Sequence, residues 1–175
     1  MRNTGRVPPS EIAGRLSEFQ EDAKIGDKFG KSWDTNWFLV EFEVPNEWLD
    51  EDKEVHWIWN GKCEASIYPI DGSKLLAAFT ENVREKYIIK RPNIKNDLTD
   101  LSVNKTGTTN RIQYLLEEAC NEMFGNFKEG FLSQVDMEKE FTLEKCEIAL
   151  FNRHAWNLFF NFEVVRDGAK HFEKE

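Results

Sequence analysis

The sequence predicts an all-β sandwich with a short helix in front of it and a longer helix behind it. Two observations point there. Short runs of alternating apolar and polar residues recur between Phe29 and Phe151, with turn residues roughly every ten positions, a spacing typical of sandwiches rather than parallel α/β sheets. Asn60-Gly61 and Asp71-Gly72 have the chemistry of tight two-residue hairpin turns. The chain of 175 residues includes 14 Phe and 6 Trp. At that length a domain buries roughly 70% of its unfolded surface, so a sizeable core is within reach.

Residues 1–28 read as a lead-in. Val7-Pro8-Pro9-Ser10 is a stop, and Ser10 is placed to cap a short helix through Phe19, with Ile12, Leu16 and Phe19 near one face. Strand texture starts at Phe29. Phe38, Val40, Phe42 and Val44 alternate with Leu39, Glu41 and Glu43 until Pro45. Asn46 to Glu54 is an acidic turn. Val55, Trp57 and Trp59 then share one strand face, with His56 and Ile58 on the other. Asn60-Gly61 should fold this strand back on Glu64 to Ile70, and Asp71-Gly72 should turn the chain again. Leu75 to Phe79 and Tyr87 to Ile89 are further short strands, and the polar stretch 91–110 is a loop.

The next segment is ambiguous. Ile112, Leu115, Leu116, Ala119, Cys120 and Met123 fit helical spacing. A strand through Ile112, Tyr114, Leu116, Glu118 and Cys120 requires a polar partner for Glu118. Leu143 to Phe151 is strand again, with Ile148 and Leu150 on one face. From Asn152 the texture is helical. Ala155, Leu158, Phe162, Val165 and Ala169 form one apolar stripe, and Trp156, Phe159, Phe160 and Val164 another. At ~100° per residue the two cover roughly 260° of the circumference, far more than a surface helix presents. Such a helix expects cover on two sides, and the chain reads as a fragment or a subunit. The domain division expected is therefore 1–28 lead-in, 29–151 sandwich and 152–175 connecting helix.

Composition and motifs exclude much. The net charge of −9 disfavours nucleic-acid binding, which needs a basic face. No apolar run approaches the ~20 residues that span a bilayer. Cys63, Cys120 and Cys146 are too few and too widely spaced for a disulfide framework or a zinc site. With no signal-peptide block in the first 25 residues, a cytoplasmic, reducing compartment is the expectation. A vacuole or lysosome reached by a non-secretory route is the alternative. There is no Gly-rich phosphate loop, no P-loop lysine and no nucleophile elbow. His56, His154 and His171 lack a second ligand at metal spacing, and the acidic clusters read as solvated surface. No residue is assigned a catalytic or metal-ligating role, and ligand-binding residues are left unassigned. Among the tryptophans, Trp57 and Trp59 read as core. Trp33 and Trp37 are the candidates for an exposed sugar-stacking face, although burial under a loop is the plainer reading of Trp37. Asn104-Lys105-Thr106 has the form of a glycosylation acceptor, silent without secretion.

Five segments taken in order carry a resemblance. They are 29–38 (Phe29-Gly30-Lys31-Ser32-Trp33-Asp34-Thr35-Asn36-Trp37-Phe38), Val44-Pro45-Asn46-Glu47-Trp48, and Val55-His56-Trp57-Ile58-Trp59 with Glu64 and Asp71-Gly72. The last two are Glu118-Ala119-Cys120-Asn121-Glu122-Met123-Phe124-Gly125 and 147–156, from Glu147 through Asn152-Arg153-His154-Ala155-Trp156. Together they resemble the N-terminal region of the cytosolic and vacuolar class of α-mannosidases, glycoside hydrolase family thirty-eight. The resemblance implies a jelly-roll, galactose-binding-like sandwich ahead of a catalytic domain, and makes 111–120 a strand. It implies a parent that removes terminal α-linked mannose from oligosaccharides, using zinc held by His and Asp in a catalytic domain opening with a His-x-Asp segment. No His-x-Asp occurs here, and none of the family's functional residues carries over. The expectation is a non-catalytic front end, without a cofactor of its own, whose C-terminal helix meets the catalytic domain or another subunit. A stand-alone carbohydrate-binding or protein-interaction module is the second reading.

Overall fold

The computed structural model describes residues 4–92, 104–106, 109–122, 125, 127–128 and 134–172. Among these residues ten strands and two α-helices follow in the order α1 (Pro9–Ala13), β1 (Lys28–Lys31), β2 (Thr35–Pro45), β3 (Val55–Asn60), β4 (Glu64–Pro69), β5 (Ala77–Phe79), β6 (Lys86–Lys90), β7 (Asn104–Thr106), β8 (Thr109–Ala119), β9 (Glu140–Thr142), β10 (Lys145–Leu150) and α2 (Arg153–Phe172). A five-stranded sheet runs β2-β8-β4-β5, with β7 on the flank of β8 beyond the end of β4. A three-stranded sheet, β10-β3-β6, faces it, and β1 pairs with β9. Every pairing between these strands is antiparallel. The all-β sandwich expectation holds.

Alternation explains the core. Val40, Phe42 and Val44 of β2, Ile112, Tyr114 and Leu116 of β8, and Ala65 and Ile67 of β4 point inward from one sheet, and Val55, Trp57 and Trp59 from the other. Trp57 is the hub. Phe79, Tyr114 and Phe42 lie 5.1, 5.2 and 5.3 Å from its ring centroid. Removing such a side chain typically costs roughly 3–5 kcal/mol.

The lead-in covers the outer face of the larger sheet. Ile12, Trp37 and Leu115 form a second buried cluster, with Val7, Leu16, Phe19 and Tyr68 packed around it. Ile12, Leu16 and Phe19 thus share a face as the spacing predicts, but Ser10 is not the cap. Pro8 holds the N-cap position and Pro9 starts the helix, since proline's fixed φ suits the first turn. The helix stops at Ala13 ahead of Gly14, and a separate 3-10 turn covers Leu16–Glu18.

Two other expectations change. Asn60-Gly61 is no hairpin: β3 pairs with β10 and β6, whereas β4 pairs with β8 and β5. The turn instead carries the chain from one sheet to the other, with Lys62 at φ 60° and its N–H donated to Asn60 Oδ1 at 2.9 Å. Turn chemistry specifies a reversal, not which strand is joined next. Asp71-Gly72 does sit in a hairpin, between β4 and β5, within a connection spanning 70–76. Gly72 is required there twice over. Its φ is +66°, and a Cβ would lie 2.4 Å from the backbone of Pro9. The expected loop 91–110 contains β7 and the first residues of β8. Its Asn93, Asn96 and Gly107 lie outside the described residues, as do Met123 and Phe124.

Residues 111–119 are strand, against their helical spacing. Continuous pairing of β8 with β2, from Thr35↔Ala119 to Pro45↔Thr109, outweighs local periodicity. α2 begins after Asn152, whose Oδ1 accepts the N–H of Ala155 at 2.9 Å. No side chain of α2 is buried.

Candidate functional site

Two polar clusters mark opposite ends of the sandwich. The first surrounds Glu118, near the end of β8. Glu118 points inward and is 0% exposed. The strand reading demanded a polar partner, and two are present: Trp59 Nε1–H donates to Oε1 and the Cys63 thiol to Oε2. Asn36 Nδ2 donates to Cys120 Sγ at 3.2 Å nearby. Gly61 makes the room, since a Cβ there would lie 2.4 Å from Glu118 Oε1. Burial raises the Glu118 pKa to about 7, only partly offset by the two hydrogen bonds. It also pushes the Cys63 thiol well up. With both oxygens occupied and no exposed surface, Glu118 is a structural group rather than an acid poised for substrate.

The second cluster anchors α2. Glu54 belongs to the turn read as solvated, yet it is only 5% exposed. Its carboxylate takes the Nε2–H of His56 at 2.6 Å and both the Nε–H (3.2 Å) and an Nη2–H of Arg153. Burial alone would raise the Glu54 pKa, but the Arg153 and His56 hydrogen bonds outweigh it and lower it. The His56 ring stacks on Phe151 at 4.2 Å and 6°. Burial lowers the His56 pKa, with Glu54 opposing, so the ring is neutral at pH 7. Arg153 also lies 4.6 Å above Phe151 and 5.6 Å from Trp156. The Phe151 N–H bonds the Glu54 carbonyl at 2.8 Å. These contacts tie the root of α2 to β3 while the rest of the helix is exposed. No sequence signal marks the pair, since Glu54 and Arg153 are distant along the chain.

The other sequence candidates do not converge. Trp37 is 1% exposed beneath the lead-in, and Trp57 and Trp59 are core. Trp33 is 54% exposed and strained, at φ 71° in the β1–β2 connection. The described tryptophans therefore make no shared sugar-stacking platform. His154 and His171 lie on exposed positions of α2. Asn104-Lys105-Thr106 forms β7, paired with β8. Among the described residues no group of three or more His, Cys, Asp or Glu could hold a metal ion.

Comparison with known proteins gives the fold a family. A family model described as "α-mannosidase, jelly roll domain" matches residues 2–149, and the chain belongs to that family. It is 35% identical to α-mannosidase G of Dictyostelium discoideum over 159 residues, covering 89% of this chain and 13% of that protein. It is 29% identical to human α-mannosidase 2C1 over 170 residues, 97% of this chain and 15% of the relative. An α-mannosidase of Saccharomyces cerevisiae is 27% identical over 155 residues, 87% and 13% respectively. The chain thus spans between 13% and 15% of the length of these relatives.

Proposed function

We propose that this chain is the non-catalytic front end of an α-mannosidase that hydrolyses terminal α-linked mannose. Its sandwich supports the catalytic part, and α2 docks against the remainder of the same polypeptide. One observation carries this: the apolar side chains of α2 stand in solvent, with Leu158, Phe162 and Val165 of one stripe 72%, 62% and 70% exposed. Isolated proteins rarely present such a patch without a partner. The relatives' length beyond the matched segment supports that choice of occupant. The Glu54–Arg153 contact would set the direction in which the helix leaves the sandwich.

Hydrolysis with retention needs two carboxyl groups flanking the sugar. The candidate carboxylates found here are engaged otherwise: Glu118 is sealed in the core and Glu54 is held by Arg153 and His56. Zinc, if the parent uses it, belongs to another part of the polypeptide. Another subunit is the alternative occupant of α2. A net charge of −9 argues against nucleic acid, and no helix among the described residues is long and apolar enough to cross a membrane. A reducing, cytoplasmic setting suits the three free cysteines.

The test is turnover. The isolated chain should release no aryl leaving group from an aryl α-mannoside, with or without added zinc. Zinc-dependent turnover that survives repurification would refute a non-catalytic role.

A further inference from the structure

Among the described residues β2 is an edge strand of the five-stranded sheet. Its register with β8 is unbroken from Thr35 to Pro45, and Cys120 donates its N–H to the Asp34 carbonyl at 2.9 Å. In an antiparallel ladder that alternation turns the even-numbered residues of β2 toward β8 and the odd-numbered ones away. Thr35 shows the consequence, since its carbonyl accepts the N–H of Thr4 at 2.9 Å. Farther along, the outward N–H and C=O groups of Leu39 and Glu41 have no backbone partner among the described residues.

Both residues line a cleft of about 820 Å³ between residues 18–27 and the open edges of the two sheets. Phe19, Phe38, Leu39 and Leu143 give it apolar surface. Its charged lining is of one sign. Glu21, Asp22 and Asp27 contribute carboxylates, Glu18 and Glu41 contribute carboxylates already paired with Arg15 and Arg111, and no Lys or Arg itself lines the cleft. Open backbone groups, an apolar floor and an acidic rim are three separate features of one place.

We propose that this edge accepts an extended basic peptide by strand addition. Main-chain bonds to Leu39 and Glu41 would hold it, alternate apolar side chains would lie on the cleft floor, and lysines or arginines would meet the rim. A second copy of this chain fits poorly. Pairing β2 with itself about Phe42 sets Glu41 opposite Glu43 of the other copy, which is unfavourable. The inference rests on strand geometry and charge, independent of the proposed enzymatic parent.

The probe is the acetylated, amidated peptide Lys-Val-Lys-Val-Lys-Val, titrated into the ¹⁵N-labelled chain. Saturable binding is expected, with the amide protons of Leu39 and Glu41 moving downfield as they gain acceptors. The Glu-Val counterpart should bind at least about tenfold more weakly, and added salt should weaken the Lys-Val complex. A backbone N-methylated Lys-Val peptide should lose binding. No binding of the Lys-Val peptide, equal binding of the Glu-Val or N-methylated peptide, or shifts that spare Leu39 and Glu41 would each overturn the proposal.

Discussion

At about pH 5, Glu118→Ala is expected to destabilise the sandwich by about 3–5 kcal/mol, read as a lower urea midpoint. The substitution opens a cavity and leaves the Trp59 indole N–H and the Cys63 thiol without their acceptor in the buried core. Glu118→Gln keeps an oxygen for Trp59 and should cost only about 1 kcal/mol. Wild type and Glu118→Gln separate further with pH. Burial raises the Glu118 pKa from 4.5 to about 7, so the folded chain binds this proton more tightly than the unfolded chain. The resulting stabilisation is fully present below the unfolded value and is lost as pH rises through about 7. It amounts to about 3 kcal/mol. Wild type should therefore lose stability between about pH 5 and pH 8 relative to Glu118→Gln. Parallel pH profiles for the two would contradict the assignment. The cluster at the other end has the opposite sign. The pKa values of Glu54 and His56 are both lowered in the fold, so their contributions are present at neutral pH and lost as pH falls.

The second large effect concerns α2. Replacing Leu158, Phe162 and Val165 together with lysine should leave the sandwich's own stability within about 0.5 kcal/mol of wild type, as expected for surface substitutions. None of the three is buried. Association through the stripe should be abolished. Burying each such side chain contributes roughly 1.5–3 kcal/mol, so losing all three removes at least about 4 kcal/mol, or roughly a thousandfold in affinity. Sedimentation of the isolated chain measures the self-association that an uncovered stripe drives, and the triple variant should remain monomeric. Loss of sandwich stability in that variant, or unchanged association, would show that α2 is not a free docking face.

Much of the fold was legible because alternation and burial coincide. The period of two from Phe38 to Val44 and from Val55 to Trp59 marks the inward face of each sheet correctly. Periodicity failed at β8, where Leu115 makes the strand apolar on both faces: one meets the main core and the other the lead-in. A strand buried on two sides reads like a helix. The Asn60-Gly61 turn misled because pairing partners are chosen by long-range burial, which a dipeptide does not encode. Glu118 was visible only as a condition, a carboxylate needing a partner, and the Glu54–Arg153–His56 contact was not visible. The excess apolar surface of α2 was legible from its two stripes and stands exposed in the fold.

The most direct test of the central claim is the transcript 3′ of the codon for Glu175. The account predicts an open reading frame that continues past α2 and soon encodes a His-x-Asp segment, the start of the catalytic part that the helix would meet. A stop codon at that position would contradict it, leaving α2 without the occupant assigned to it.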